Sequence, residues 1–361
     1  MRKMPKLLML CGLLTLALLL CACAAQQDRP TEQKTETLSD SVEEVVLKET
    51  PVPVTPMPTP TPSPVPTPSP TPAPTATPEP TATPAATPFT VVWMSDTQNL
   101  SRHYPDVFNK MRDWILEKRE ELNIVFVAHT GDVVDGCSIF MWDAATEALM
   151  PVLNEIPAMV VSGNHDISKN NKYSLFANRP YAQAVQKPGQ TFGEGQASYV
   201  TFEAGGDTFL VFGIGYDVRG KKLRDWIEEV SAQVPDAIVL YVIHSGLQPE
   251  GQFSGPARDL FQTVIKDNPK ARLMLCGHQR GTQRRTDLFD DDGDGTEERS
   301  FTTMMFNYQD DRKNGLGFMR LLSFDPLTRS ITVRTYSPWF DQYGYIKSKP
   351  GEDAFILENA F

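Results

Sequence analysis

Five short segments, each just after an apolar run, carry side chains able to hold divalent metal ions. They are Asp96-Thr97-Gln98, Gly131-Asp132-Val133-Val134-Asp135, Gly163-Asn164-His165-Asp166, His244-Ser245-Gly246 and Gly277-His278-Gln279-Arg280. Carboxylate, imidazole and carboxamide donors in one set suit Mn, Fe or Zn better than Mg alone. Hydrolysis of a phosphate ester needs an activated water, neutralised phosphoryl charge and help for the leaving group. Two metals ~3.5–4 Å apart can supply the first two needs.

Such residues act together only if secondary structure places them. Phe89 to Met94, Ile124 to Ala128, Ala158 to Val161, Phe209 to Ile214, Ile238 to Ile243 and Arg272 to Cys276 read as buried strands. Val107, Met111, Trp114, Ile115 and Leu122 give helical spacing across 105–122, and further helices are expected near 139–155, 221–233 and 256–267. Short buried runs separated by amphipathic helices argue for an α/β layer structure. Residues 282–336 change character and read as consecutive strands at 283–289, 300–307, 316–324 and 330–336. Ligands of open α/β sheets collect beyond the carboxyl ends of strands. Asp96, Asp132, Asn164, His244 and His278 all fall there.

The order and placement of the five segments resemble the calcineurin-like metallophosphoesterase superfamily. Its pattern is D-x-H, G-D-x-x-D, G-N-H-D/E, a lone His and G-H-x-H. The resemblance covers residues 89–336 in outline and implies a four-layer fold, two packed β-sheets flanked by helices. It further implies that Asp132 bridges two metals, with Asn164, His244 and His278 completing one site, here called site B. The other, site A, would take Asp96, Asp132 and imidazoles at positions 98 and 280.

This chain has Gln98 and Arg280 there instead. Gln98 still offers an amide oxygen, and a D-x-Q first motif also occurs among secreted relatives that keep the remaining motifs. A guanidinium stays protonated and has no lone pair to give. Arg280 therefore either turns outward beside a weak site A, or takes over part of metal A's role by gripping the substrate phosphate with its planar fork. One or two divalent transition metals per chain follow. By the same resemblance, Asn164 also contacts substrate, and His165 protonates the leaving group with Asp135 orienting it. For Asp135 the structural alternative is a helix-capping carboxylate. The leading expectation is metal-dependent hydrolysis of a phosphomonoester or phosphodiester. The competing one is a weakened or inactive member that binds a phosphorylated ligand through one metal and Arg280.

Other residues read more plainly. His129, just before the G-D turn, reads as a buried, hydrogen-bonded histidine, and His103 as a loop residue. Asp290, Asp292 and Asp294 with Gly295 match the first half of a calcium loop, but Phe301 stands where its Glu should be. An acidic hairpin turn is the favoured reading over bound Ca2+. Asn307-Tyr308-Gln309 is placed near the pocket. Residues 167–198 read as an insertion loop, with Lys169, Lys172, Tyr173 and Arg179 as substrate-contact candidates.

The N-terminal part speaks to location. Arg2, Lys3 and Lys6 precede an apolar stretch of 14 residues, Leu7 to Leu20. That is shorter than the roughly 20 residues of a membrane span and fits a secretory leader over 1–22. Leu20-Cys21-Ala22-Cys23 resembles a bacterial lipobox with Cys23 as the lipidated residue, so a lipid-anchored protein facing outside the cytoplasm is expected. Residues 23–88 form a spacer read as disordered; 16 prolines fall within 51–88 and favour extended polyproline II. Residues 89–361 remain as one folded domain. That span holds 37 Asp and Glu against 28 Lys and Arg, which argues against a nucleic-acid backbone as partner. Cys137 and Cys276 read as isolated buried thiols.

Overall fold

The computed structural model describes residues 86–136, 138–309, 316–345 and 350–361. The leader, the lipobox with Cys23, the spacer up to residue 85, and Cys137 lie outside the described residues. Among the described residues, no helix is long and apolar enough to cross a membrane.

The strands in chain order are β1 (Phe89–Met94), β2 (Ile124–His129), β3 (Ala158–Val160), β4 (Thr191–Phe192), β5 (Ala197–Ala204), β6 (Asp207–Ile214) and β7 (Ile238–Ile243). They continue as β8 (Ala271–Cys276), β9 (Gly281–Phe289), β10 (Arg299–Asn307), β11 (Met319–Asp325), β12 (Ser330–Ser337), β13 (Gln342–Tyr343) and β14 (Ala354–Leu357). One sheet runs β13-β12-β11-β1-β2-β3, with β14 also on β12; the other runs β4-β5-β6-β7-β8-β10-β9. At the centre of each the strands are parallel, β1-β2-β3 in the first and β6-β7-β8-β10 in the second.

The main helices are α1 (Gln98–His103), α2 (Pro105–Lys118), α3 (Ile139–Leu153), α4 (Tyr173–Ala177), α5 (Pro180–Val185), α6 (Lys221–Gln233) and α7 (Gly255–Leu260). Alternation along the strands builds the layers. Val91 and Trp93 of β1 face Phe209, Val211, Leu240 and Phe306 in a core between the sheets. Val92 and Met94 face the other way, onto Phe108, Met111 and Ile115 of α2 and Trp142 and Ala145 of α3. Phe212, Val239 and Tyr241 pack outward against Leu223 and Ile227 of α6 and Ala257 and Leu260 of α7. Apolar side chains on both faces are what strands covered on both sides require. The four-layer α/β architecture is thus the one the sequence implies.

Some boundaries differ. Helix α2 stops at Lys118, and a turn ending at Asn123, whose φ is 45°, leads the chain into β2, a conformation Asn tolerates. The helix expected near 256–267 continues from α7 as a π-helical turn, Phe261–Ile265, which sets Phe261 against Phe253. His103 ends α1 and is exposed, rather than lying in a loop. Residues 167–198 are no bare loop: they hold α4, α5, β4 and the start of β5.

Candidate metal centre

The two parallel strand sets end at one rim, and each site residue follows a strand there. Asp96 follows β1, Asp132 β2 and Asn164 β3; His244 follows β7 and His278 follows β8. Asp96, Asp132 and His278 have φ of 52°, 52° and 69°, a left-handed conformation costly for residues with a Cβ. The ligand carboxylates leave no room for more atoms on the neighbouring loops. A Cβ on Gly163 would lie 2.0 Å from Asp132 Oδ1, and one on Gly277 2.2 Å from Asp96 Oδ2. The motif glycines let the ligand loops pass this close.

The residues assigned to site B converge. His244 Nδ1 lies 2.8 Å from the Thr130 carbonyl, an acceptor only, so Nδ1 carries the hydrogen. Its Nε2 therefore faces the cluster, 3.1 Å from Asn164 Oδ1, 3.1 Å from His278 Nδ1 and 3.3 Å from Asp132 Oδ2. The ligand atoms of Asp132, His244 and His278 all lie within 4.8 Å of one another. Lone pairs crowded in this way require a cation between them, either a proton or a metal. Burial pushes the His244 imidazole down, but the Asp132 carboxylate more than offsets it and raises it to about 9. Burial also pushes Asp132 upward, yet its interactions with His244 and then His165 hold it below the ordinary carboxylate value. The donor set fits a divalent transition metal.

Site A is less complete. Asp96 is buried, and burial, with the Asp132 charge adding to it, pushes its carboxyl up to about 7. It takes hydrogen bonds from Ser95 Oγ at 2.5 Å and from the His278 amide at 3.2 Å. Behind it Trp93 Nε1 donates to Thr130 Oγ1, and Thr130 Oγ1 donates to Ser95 Oγ. Gln98 Nε2 donates to Asp132 Oδ2 at 3.2 Å, while Gln98 Oε1, fully buried, has no partner among the described residues. A buried carbonyl oxygen left unsatisfied on the residue that touches Asp132 suits a weak metal ligand. Arg280 is exposed and lines the cleft of about 300 Å³ above the cluster, together with Asp132, Asn164, His165, Pro249, His278, Gln279 and Gln309.

His165 stands at that cleft with its side chain 41% exposed. Its Nδ1 lies 2.7 Å from Asp135 Oδ1, its Nε2 3.9 Å from Asp132 Oδ2, and its amide donates to Asp132 Oδ1 at 2.9 Å. Asp135 is engaged with His165 and makes no helix cap, since the cap position of α3 is Ser138. Desolvation pushes the Asp135 carboxyl up, but hydrogen bonds from His165 and Arg102 outweigh it and hold the group below its ordinary value.

The structure adds residues that sequence reasoning passed over. Arg102 of α1 pairs with Asp135 Oδ2, and no motif marked it. Asp166, fully buried, accepts from the amides of Val133, Val134 and Gly163 at 3.2, 3.0 and 2.8 Å, locking two ligand loops together. Tyr216 places its ring 5.4 Å from His278 and 5.8 Å from His244; its position just past β6 was the available signal. His129 is the buried histidine expected: Nδ1 accepts from the Gly131 amide, leaving Nε2 to pair with Thr97 Oγ1 at 2.9 Å. Asn307 Nδ2 donates to the His278 carbonyl, so the segment expected near the pocket does border it. Of the 167–198 candidates, Arg179 lies over the Trp142 ring and Tyr173 donates to the Tyr216 carbonyl; Lys169 and Lys172 are exposed, and none of the four borders the cleft.

Comparison with known proteins decides the family. The model of the calcineurin-like phosphoesterase family matches residues 89–280. The chain belongs to that family. Calcineurin-like phosphoesterases are metal-dependent hydrolases of phosphate esters, in keeping with the Asp132–His244–His278 group. The uncharacterized protein YvnB of Bacillus subtilis is 33% identical over 264 residues, 71% of this chain but 20% of YvnB. Purple acid phosphatase 23 of Arabidopsis thaliana is 27% identical over 103 residues, 28% of this chain and 22% of that protein. The chain thus spans about a fifth of the length of these relatives. Among solved structures, GAP50 of Plasmodium is 13% identical with a TM-score of 0.44, covering 72% of this chain and 87% of that one. TT1561 of Thermus thermophilus is 12% identical with a TM-score of 0.43, covering 70% of this chain and all of that one.

Proposed function

We propose that this calcineurin-like phosphoesterase hydrolyses phosphomonoesters or phosphodiesters at the outer side of a bacterial cytoplasmic membrane, tethered through lipidated Cys23. Asp132, Asn164, His244 and His278 hold the principal metal, and Asp96 and Gln98 form a weaker second position with Asp132. A divalent transition metal bound there supplies phosphoryl charge neutralisation and an activated water.

The observation that carries the reading is the placement of His165. Asp135, ionised and acceptor-only, takes the Nδ1 hydrogen at 2.7 Å, which leaves Nε2 as the atom that exchanges protons. That atom lies 3.9 Å from Asp132 Oδ2, at the wall of the cleft. A proton on Nε2 is positioned for the leaving oxygen of an ester seated over Asp132. Arg280 and Asn164 border the same cleft and orient the phosphoryl oxygens. A pure binding protein has no need of the His165–Asp135 pair.

The test is phosphate release from aryl phosphomonoesters and diesters in the presence of Mn2+, Zn2+, Fe2+ or Ca2+. Turnover should depend on a transition metal and disappear on chelation and in Asp132→Asn. Silence with every metal and ester, combined with tight phosphate binding, would favour the binding-only member.

A further inference from the structure

A second cleft adjoins the reaction cleft. Pro249 and Arg280 border both. The second cleft encloses about 520 Å³ between the start of β9 and the segment before β14, and its walls include Arg280, Thr282, Arg284, Arg320, Glu352 and Phe355. Among the described residues, three guanidiniums and one carboxylate therefore line it. That carboxylate already accepts a hydrogen bond from Thr282 Oγ1.

Arg320 is the informative member. It is 1% exposed, and an arginine is rarely buried without compensating partners. Its Nη2 donates to the Glu352 carbonyl at 2.8 Å, but its Nε has no partner among the described residues. The guanidinium lies among the rings of Trp93, Phe306 and Phe355 at 5.3–5.7 Å. Arg284, exposed on β9, stacks its guanidinium on the same Phe355 ring, 4.0 Å from its centroid. Burial and then the Arg320 charge lower the Arg284 guanidinium below its ordinary value. Like charges held together beside an aromatic wall match the planar, bidentate recognition of an anion.

We propose that this cleft is a subsite for a second phosphate of the substrate, so that the preferred substrates carry one phosphate at the metal centre and another beyond Arg280. This rests on the phosphoesterase reading and narrows it from any phosphate ester to bisphosphorylated or phosphate-repeating compounds. Arg284 and Arg320 grip the distal phosphate, and Phe355 supports the connecting segment.

Hexyl phosphate and 1,6-hexanediol bisphosphate differ only in the distal group and provide the probe. The wild-type chain should favour the bisphosphate in kcat/KM by about tenfold or more, the value of one charge-assisted contact pair. Arg284→Gln, at an exposed position, and Arg320→Lys, which keeps the charge but loses the fork, should both shrink that ratio towards one. Equal kcat/KM for the two esters in wild type, or a ratio untouched by both variants, overturns the subsite. If neither ester is hydrolysed, the phosphoesterase reading fails, and calorimetric titration of the metal-free chain with 1,6-hexanediol bisphosphate reads the cleft alone. Binding weakened about tenfold by Arg284→Gln supports the subsite there; binding that is absent or indifferent to the variant overturns it.

Discussion

His165 and Asp135 share a 2.7 Å hydrogen bond through Nδ1 and Oδ1, and the second oxygen of Asp135 is held by Arg102. The imidazole is thus oriented from behind, with Nε2 left facing the cleft. Asp135→Asn should lower kcat by ~10- to 100-fold, because the ring loses the carboxylate that fixes its orientation and keeps the hydrogen on Nδ1. Metal content, measured by elemental analysis, should not change. Arg102 is about half exposed, so Arg102→Gln should cost less than about tenfold. An Asp135→Asn enzyme with wild-type kcat would remove Asp135 from the mechanism.

Metal uptake should compete with a proton on His244. In the metal-free fold that imidazole is raised from 6.5 to about 9. The proton is bound below this value and must leave before Nε2 can coordinate. Apparent metal affinity should therefore rise with pH throughout the range below about 9 and level off above it. The sign for stability is opposite: the chelated chain gains from this proton below 6.5 and loses that gain as pH rises through about 9. Calorimetry in buffers of different ionisation enthalpy would register the released proton; uptake with no proton release contradicts the assignment.

Asp166 should matter to folding more than its position in a catalytic motif suggests. Removing it leaves the amides of Val133, Val134 and Gly163 buried without an acceptor. At about 1–3 kcal/mol per orphaned donor, Asp166→Ala should destabilise the chain by ~3 kcal/mol or more. Urea unfolding would show it as a lower midpoint, whereas an unchanged midpoint would mean the loops are held elsewhere.

Much of this was legible in the chain. Strands β1, β2, β7 and β8 read clearly because they are buried on both faces and hence continuously apolar. The site-B residues were readable because each follows such a strand. Less legible was β5, whose half-exposed Tyr199 and Val200 and exposed Thr201 blur an apolar pattern. Arg102 and Tyr216 carry no motif; they meet the site only through helix α1 and the turn after β6. In the acidic hairpin, spacing pointed to position 301, but the fold brings Glu298 to Asp290, Asp292 and Asp294. Hairpin pairing of Arg299 with Phe289 sets that proximity, and loop spacing alone could not.

That hairpin should be indifferent to calcium. Its carboxylates already serve its own backbone: Asp290 accepts from Gly293 and Gly295, Asp292 from Asp294, and Asp294 from Thr296. Millimolar Ca2+ should shift the melting temperature by less than about 1 °C, since a ligand stabilises little when its Kd lies far above its concentration. A clear upward shift that Asp292→Ala abolishes would contradict this.

The most direct test of the account is the dependence of the His165→Ala effect on the leaving group. Alkyl phosphates need a proton on the departing oxygen far more than p-nitrophenyl phosphate does. With metal content unchanged, His165→Ala should slow alkyl ester hydrolysis by ~10²- to 10⁴-fold and p-nitrophenyl ester hydrolysis much less. Equal losses on both esters, or none, would contradict the claim that His165 delivers the leaving-group proton at this metal centre.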